Sequence, residues 1–317
     1  MAHQPPGPPP YGPPYGYPPL GPPAPKPGVV PLAPLDVGVV FSGVILTWWR
    51  NWKVVLSVSA VAVVVATVLG IPFLREMVLL PADSNLPPQR MFDELVPHLQ
   101  RLAWLFPLYA IAWSLVQGVA GGLFAVIARQ AVLGRQPSWS QVWHEARPQF
   151  ARLVGLALVL YLVVGVGLVL CIVPGVIVFT LWSLAIPALM TERLGVGQAL
   201  SRSYRLVIGD AWRVFAILAL VAIAAQAAAA AVGSPFSAAQ LFFAPMSAAS
   251  TDAAVWGQVV AGAAAATVGG FITMSALPFA TLLLYLDQRI RRERYDLQLA
   301  EEAAVPGQEP SSGPPAQ

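Results

Sequence analysis

Three arginines, Arg202, Arg205 and Arg213, gather on one side of the segment GVGQALSRSYRLVIGDAWR (residues 195–213) when it is wound as a helix. Val196, Leu200, Tyr204, Val207, Ile208 and Ala211 recur at helical spacing on the other side. Guanidinium groups pair well with phosphate oxygens. A helix of this kind is expected to lie on an anionic leaflet, apolar face down, with the three arginines as lipid contacts. The same charges would also orient the flanking segments.

Other reactive residue types are sparse. His3, His98 and His144 are far apart, and none has a second ligand at metal spacing. The single cysteine, Cys171, lies in an apolar run and reads as a buried small hydrophobe, so no internal disulfide can form. The stretch 75–101 holds Glu76, Asp83, Asp93, Glu94 and His98, a set that reads as solvated surface. No metal or cofactor is expected, and no catalytic set is assigned. A net charge of +3 gives no reason to expect a nucleic-acid partner. In Pro8-Pro9-Pro10-Tyr11 the tail matches the P-P-x-Y pattern read by WW domains, although any Pro-Tyr-rich spacer does the same.

The elements that must position these residues are membrane elements. Charged residues make up 10% of the chain, against about 25% in soluble proteins, and the mean hydropathy is +0.67. Residues 1–34 carry 15 of the 32 prolines and form neither helix nor strand. The opening residues lack the short apolar core of a cleavable signal, so the first span is expected to act as its own targeting signal.

Residues 35–53 are apolar but too short to cross, and they end in Trp48, Trp49 and Trp52 beside Arg50 and Lys53. That is an interfacial pattern, with Asp36 as the expected N-cap. Six spans follow, at about 54–74, 102–127, 153–171, 174–190, 214–232 and 256–286. Between Arg152 and Glu192 lie 39 uncharged residues. As one helix they would reach about 58 Å, twice the hydrocarbon thickness. The chain must turn back there, and Cys171-Ile172-Val173-Pro174-Gly175 is the turn signal, with Pro174 and Gly175 as the hairpin residues.

Under this division, 15 of the 18 basic residues fall on one side, and only Arg75, Arg90 and Arg101 fall on the other. The positive-inside rule then puts both termini in the cytoplasm. The expected architecture is an all-α bundle of six spans over residues 35–300, between a Pro-rich tail (1–34) and a C-terminal tail (301–317). Within the spans Gln117 and Gln226 are the main polar groups, expected to bond to neighbouring helices. Gly118 and Gly122 form a G-x-x-x-G packing motif, and Pro107, Pro187 and Pro278 are candidate kinks. Buried carboxylates of the kind that couple transport are missing from the spans.

The stretch from Ile172 to Phe215, IVPGVIVFTLWSLAIPALMTERLGVGQALSRSYRLVIGDAWRVF, resembles the core of a family of bacterial six-helix membrane proteins. That family is related to the membrane domain preceding some glycerophosphoryl diester phosphodiesterases. The shared order is an IVPG hairpin, an apolar span ending near Pro-Ala-Leu, a Glu-containing turn and a basic amphipathic segment. LLLYLDQRIRRERYDLQLA (Leu282 to Ala300) and PLAPLDVGVVFSGVILTWWRNWK are similar to the two ends of actinobacterial members, so the resemblance covers roughly residues 30–300. It implies a bacterial inner-membrane location and no catalysis. The phosphodiesterase itself would need a His-Arg-Gly start and a metal-binding barrel, and this chain contains neither.

The leading expectation is therefore a non-enzymatic membrane domain that organises lipids, other membrane proteins or copies of itself. A transporter or channel subunit and an enzyme acting on lipid head groups remain as alternatives.

Overall fold

A computed structural model describes residues 26–31, 33–80, 87–247, 252–295 and 298. The Pro8–Tyr11 motif, Asp83 and residues 301–317 lie outside them. Among the described residues ten α-helices follow one another: α1 (Val37–Arg50), α2 (Trp52–Val78), α3 (Pro88–Val132), α4 (Trp139–Ala146), α5 (Phe150–Leu170), α6 (Ile172–Trp182), α7 (Ala185–Glu192), α8 (Val196–Val207), α9 (Ala211–Ser247) and α10 (Asp252–Glu293). Six units are long and apolar enough to cross a membrane: α2, α3, α4 with α5, α6 with α7, α9, and α10. The protein is an all-helical, multi-pass membrane bundle.

The bundle turns valines and leucines outward, as lipid requires. Val61, Val64, Val68 and Leu69 of α2 are exposed along one face, while Val55, Val58, Ala62, Val63 and Ala66 are buried along the other. α10 is the hub and packs against α9, α2, α3 and α1. Small residues permit this closeness. A side chain at Gly118 would collide with Ala157, and one at Gly122 would come within 2.5 Å of Leu153, so the G-x-x-x-G motif seats α3 against α5.

Two chain breaks depart from the expected boundaries. The hairpin turns at Cys171, whose extended backbone (φ −165°, ψ 129°) ends α5 and begins α6. Pro174 and Gly175 come after that turn, inside the first turn of α6. Proline is tolerated there because those amides have no intrahelical acceptor. Gly167 of α5, lacking a side chain, lets the Gly175 backbone lie against it. Cys171, expected to be buried, is exposed at this turn.

The second break divides the fourth span at Ser183–Leu184. Pro187 causes it, since its ring excludes the carbonyl four residues earlier and it has no N–H to donate. Freed backbone groups in a membrane need new partners, and Ser203 of α8 supplies them. Its hydroxyl donates to the Leu181 carbonyl (2.7 Å) and accepts from the Leu184 amide (3.1 Å).

Candidate functional site

The segment 195–213 is not one helix. α8 ends at Val207, the chain turns through Ile208-Gly209-Asp210, and α9 starts at Ala211. The cause lies on α10. Arg292 donates to the Arg205 carbonyl (2.9 Å), capping the end of α8, and stands 3.8 Å from the Asp210 carboxylate. Its guanidinium lies against Gly209, where a side chain would collide with it. Arg213 therefore belongs to α9. The buried face of α8 is Ala199, Ser203, Leu206 and Val207, while Tyr204 and Ile208 of the expected apolar face are exposed.

The three candidate lipid arginines are thereby separated. Arg202 bridges two carboxylates within the chain, Glu192 (2.9 Å) and Glu293 (2.5 Å). Its hydrogen bond to Glu293 leads the effects that hold its guanidinium above the ordinary arginine range. Tyr285 donates to the same Glu192 carboxylate. Arg213 pairs with Asp287 at 2.6 Å. Arg205 alone of the three is exposed, and its guanidinium makes no ion pair among the described residues.

Asp287, fully buried on α10, anchors a clasp that the sequence does not suggest. One carboxylate oxygen meets Arg213, and the other accepts from Arg291 (2.9 Å) and from the Leu35 backbone amide (2.7 Å). The Leu35 carbonyl in turn accepts from Arg213 (2.5 Å) and Arg291 (3.2 Å). The strap before α1 is bound like a peptide in a groove. Val29, Val30 and Leu35 are buried, and the Val29 amide donates to the Ala131 carbonyl (3.2 Å). Gly28 passes so close to the carbonyls of Ala131 and Val132 that no side chain fits. Both Asp287 oxygens and both Leu35 backbone groups are matched, so the clasp is structural in character.

At the other end of the bundle, the nearly buried Glu76 draws in His98 (2.9 Å), Arg101 (3.6 Å) and Arg75 (3.7 Å). The sequence pattern reads these residues as ordinary surface. Among the described residues no three His, Cys, Asp or Glu side chains come together to hold a metal.

An open-sided space remains between the helices, with Phe106 and Phe179 of its wall exposed. A cavity of about 550 Å³ lies between α3, α5, α6, α7, α9 and α10. It forms where Ala110, Gly118 and Gly121 leave α3 without bulk, beside Pro278 of α10. Aromatic rings wall the end at Phe106, among them Tyr109, Trp113 and Tyr161, and Phe179 and Trp182 also line the space. The other end, toward Gly121, is floored by Gln117, Ser183, Thr273 and Thr281. Along α3 the lining runs from Phe106 to Gly121, about 22 Å at the rise of a helix. No acidic or basic side chain lines it.

The hydroxyls of Ser183, Thr273 and Thr281 bond to helix carbonyls of their own segments. Neither Gln117 nor Ser114 has a hydrogen-bond partner among the described residues. The expected interhelical bond of Gln117 is therefore missing. So is that of Gln226, which is exposed on the outside of α9.

Comparison with known proteins adds no assignment: no family model matches the chain, and no curated protein or solved structure is significantly similar to it.

Proposed function

We propose that this chain is a non-enzymatic membrane module that organises lipid by holding a long hydrocarbon chain within its helices. One observation carries the reading, the elongated cavity of about 550 Å³ walled by aromatic and aliphatic side chains. Its volume falls in the usual range for small-molecule sites, roughly 300–1,000 Å³, and the medium around it is hydrocarbon. A vacant space of this size in a bilayer would forfeit dispersion contacts that a lipid chain restores. Exposed Arg205 supports an added contact with an anionic leaflet.

The proposal keeps the location that the charge pattern favours, a bacterial inner membrane with both termini cytoplasmic. It also keeps the relationship to the membrane domain of glycerophosphoryl diester phosphodiesterases as its family hypothesis.

Gly165 provides the test. A Cβ there meets only Tyr161, at 4.0 Å, so Gly165→Phe can enter the cavity without striking backbone. Mass spectrometry of protein released from lipid nanodiscs should show a retained hydrocarbon-chain lipid on the parent chain and its loss from Gly165→Phe. Equal retention by both proteins, or none by the parent, would refute lipid binding in this cavity.

A further inference from the structure

Building on that lipid-binding reading, we infer that the cavity selects an amphiphile with an uncharged, oxygen-bearing head, a hydroxyl or carbonyl, which docks on Gln117 and Ser114. Three features lead there.

The first is depth. Gln117 lies fifteen residues from one end of the span read at about 102–127 and ten from the other, about 22 and 15 Å along the helix. With a hydrocarbon core of about 30 Å, that places the amide near mid-membrane. Phospholipid head groups stay at the interface and do not reach it. A chain of an ordinary phospholipid would lay only methylenes against the amide.

The second is valence. A glutamine side chain offers two donors and an acceptor, and a serine hydroxyl offers one donor and two lone pairs. Those of Gln117 and Ser114 are unused within the described protein. They lie one helical turn apart on the same face of α3. A hydroxyl or carbonyl oxygen between them can accept from the Gln117 amide, and a hydroxyl can also donate in return. Helices in lipid rarely leave such groups unmatched.

The third is charge. A phosphate or ammonium head would need a counter-ion at this depth, and the lining supplies none. The aromatic end, from Phe106 to Trp113, then takes the hydrocarbon portion. The site is polar where the membrane is least polar, so it reads a head group inverted relative to bilayer lipids.

The test uses the full-length protein in phosphatidylcholine nanodiscs doped with equal amounts of 1-hexadecanol, hexadecane and hexadecyltrimethylammonium. Retained probes are quantified by mass spectrometry and compared with protein-free discs. The alcohol should be enriched over the alkane by about tenfold, the worth of one net hydrogen bond, and the ammonium should not be enriched. Gln117→Leu and Ser114→Ala together should reduce the alcohol to the alkane level while both probes stay bound. Gln117 holds no partner among the described residues, so this change removes no bond described in the fold. Gln117→Met serves as a second apolar variant if the first expresses poorly.

Equal retention of alcohol and alkane by the parent protein would overturn the head-group inference and leave chain binding standing. So would enrichment that survives the double substitution, or ammonium retained as well as alcohol. Retention of no probe by the parent protein would overturn both.

Discussion

Asp287 shows how much a single side chain can hold in this fold. Its carboxylate is fully buried and serves two arginines and one backbone amide. Removing one member of such a group leaves charge stranded, at a cost of about 3–5 kcal/mol. Asp287→Ala should accordingly lower the thermal unfolding midpoint in detergent well beyond Asp287→Asn, which keeps an oxygen for the Leu35 amide. A smaller effect is expected from Ser203→Ala. It unpairs the Leu181 carbonyl and the Leu184 amide, worth about 1–3 kcal/mol, and restoring Ser203→Thr should recover part of it. The arginines were legible as a cluster, but their partners were not. Arg213 finds Asp287 at a separation of 74 residues, and no periodicity within residues 195–213 carries that information. Gln117 was legible as an odd polar residue, whereas the space beside it arises from several helices together.

Among elements, the spans could be read from hydropathy and the breaks only in part. Thirty-nine uncharged residues forced a turn, and its neighbourhood was evident, yet the break came at Cys171 because Pro174 is compatible with a helix start. Pro187 was visible as a kink, and its consequence, a fourth span in two pieces stitched by Ser203, needed the packing of α8. The strap before α1 was hidden altogether, since a Pro-rich segment advertises no docking. Gly28→Val should dislodge it, because the added methyls meet the backbone of Ala131 and Val132, which cannot yield. Hydrogen exchange at the Val29 and Leu35 amides, slow in the parent protein, should then rise toward the unprotected rate. Unchanged protection at both amides would argue against the strap as a bound element.

For the whole molecule, the distribution of arginine and lysine makes the strongest statement. Fifteen of eighteen basic residues fall on the side of the bundle that carries the Asp287 clasp, and many are engaged there in ion pairs. Arginines that the sequence reads as orientation signals thus also fasten the folded chain. Reporter fusions after Gln130, Val207 and Gln288 should report cytoplasm, and fusions near Leu86 and Ser250 the opposite side. A non-cytoplasmic signal at Val207 would break the six-span arrangement. Fold class and span number were accessible from composition because lipid imposes them. The cavity was not, because it depends on what six helices fail to fill.

The clasp also sets a timetable for synthesis. Leu35 leaves the ribosome before any span, and Asp287 only at the end of the last, 252 residues later. At about 5–20 residues per second the strap waits on the order of tens of seconds for its acceptor. Until then the Leu35 amide lacks its acceptor and Arg213 has no carboxylate. A chain cut short anywhere before Asp287 can insert its early helices yet never close this joint. Closure of the joint therefore separates a chain that has reached Asp287 from one that has not.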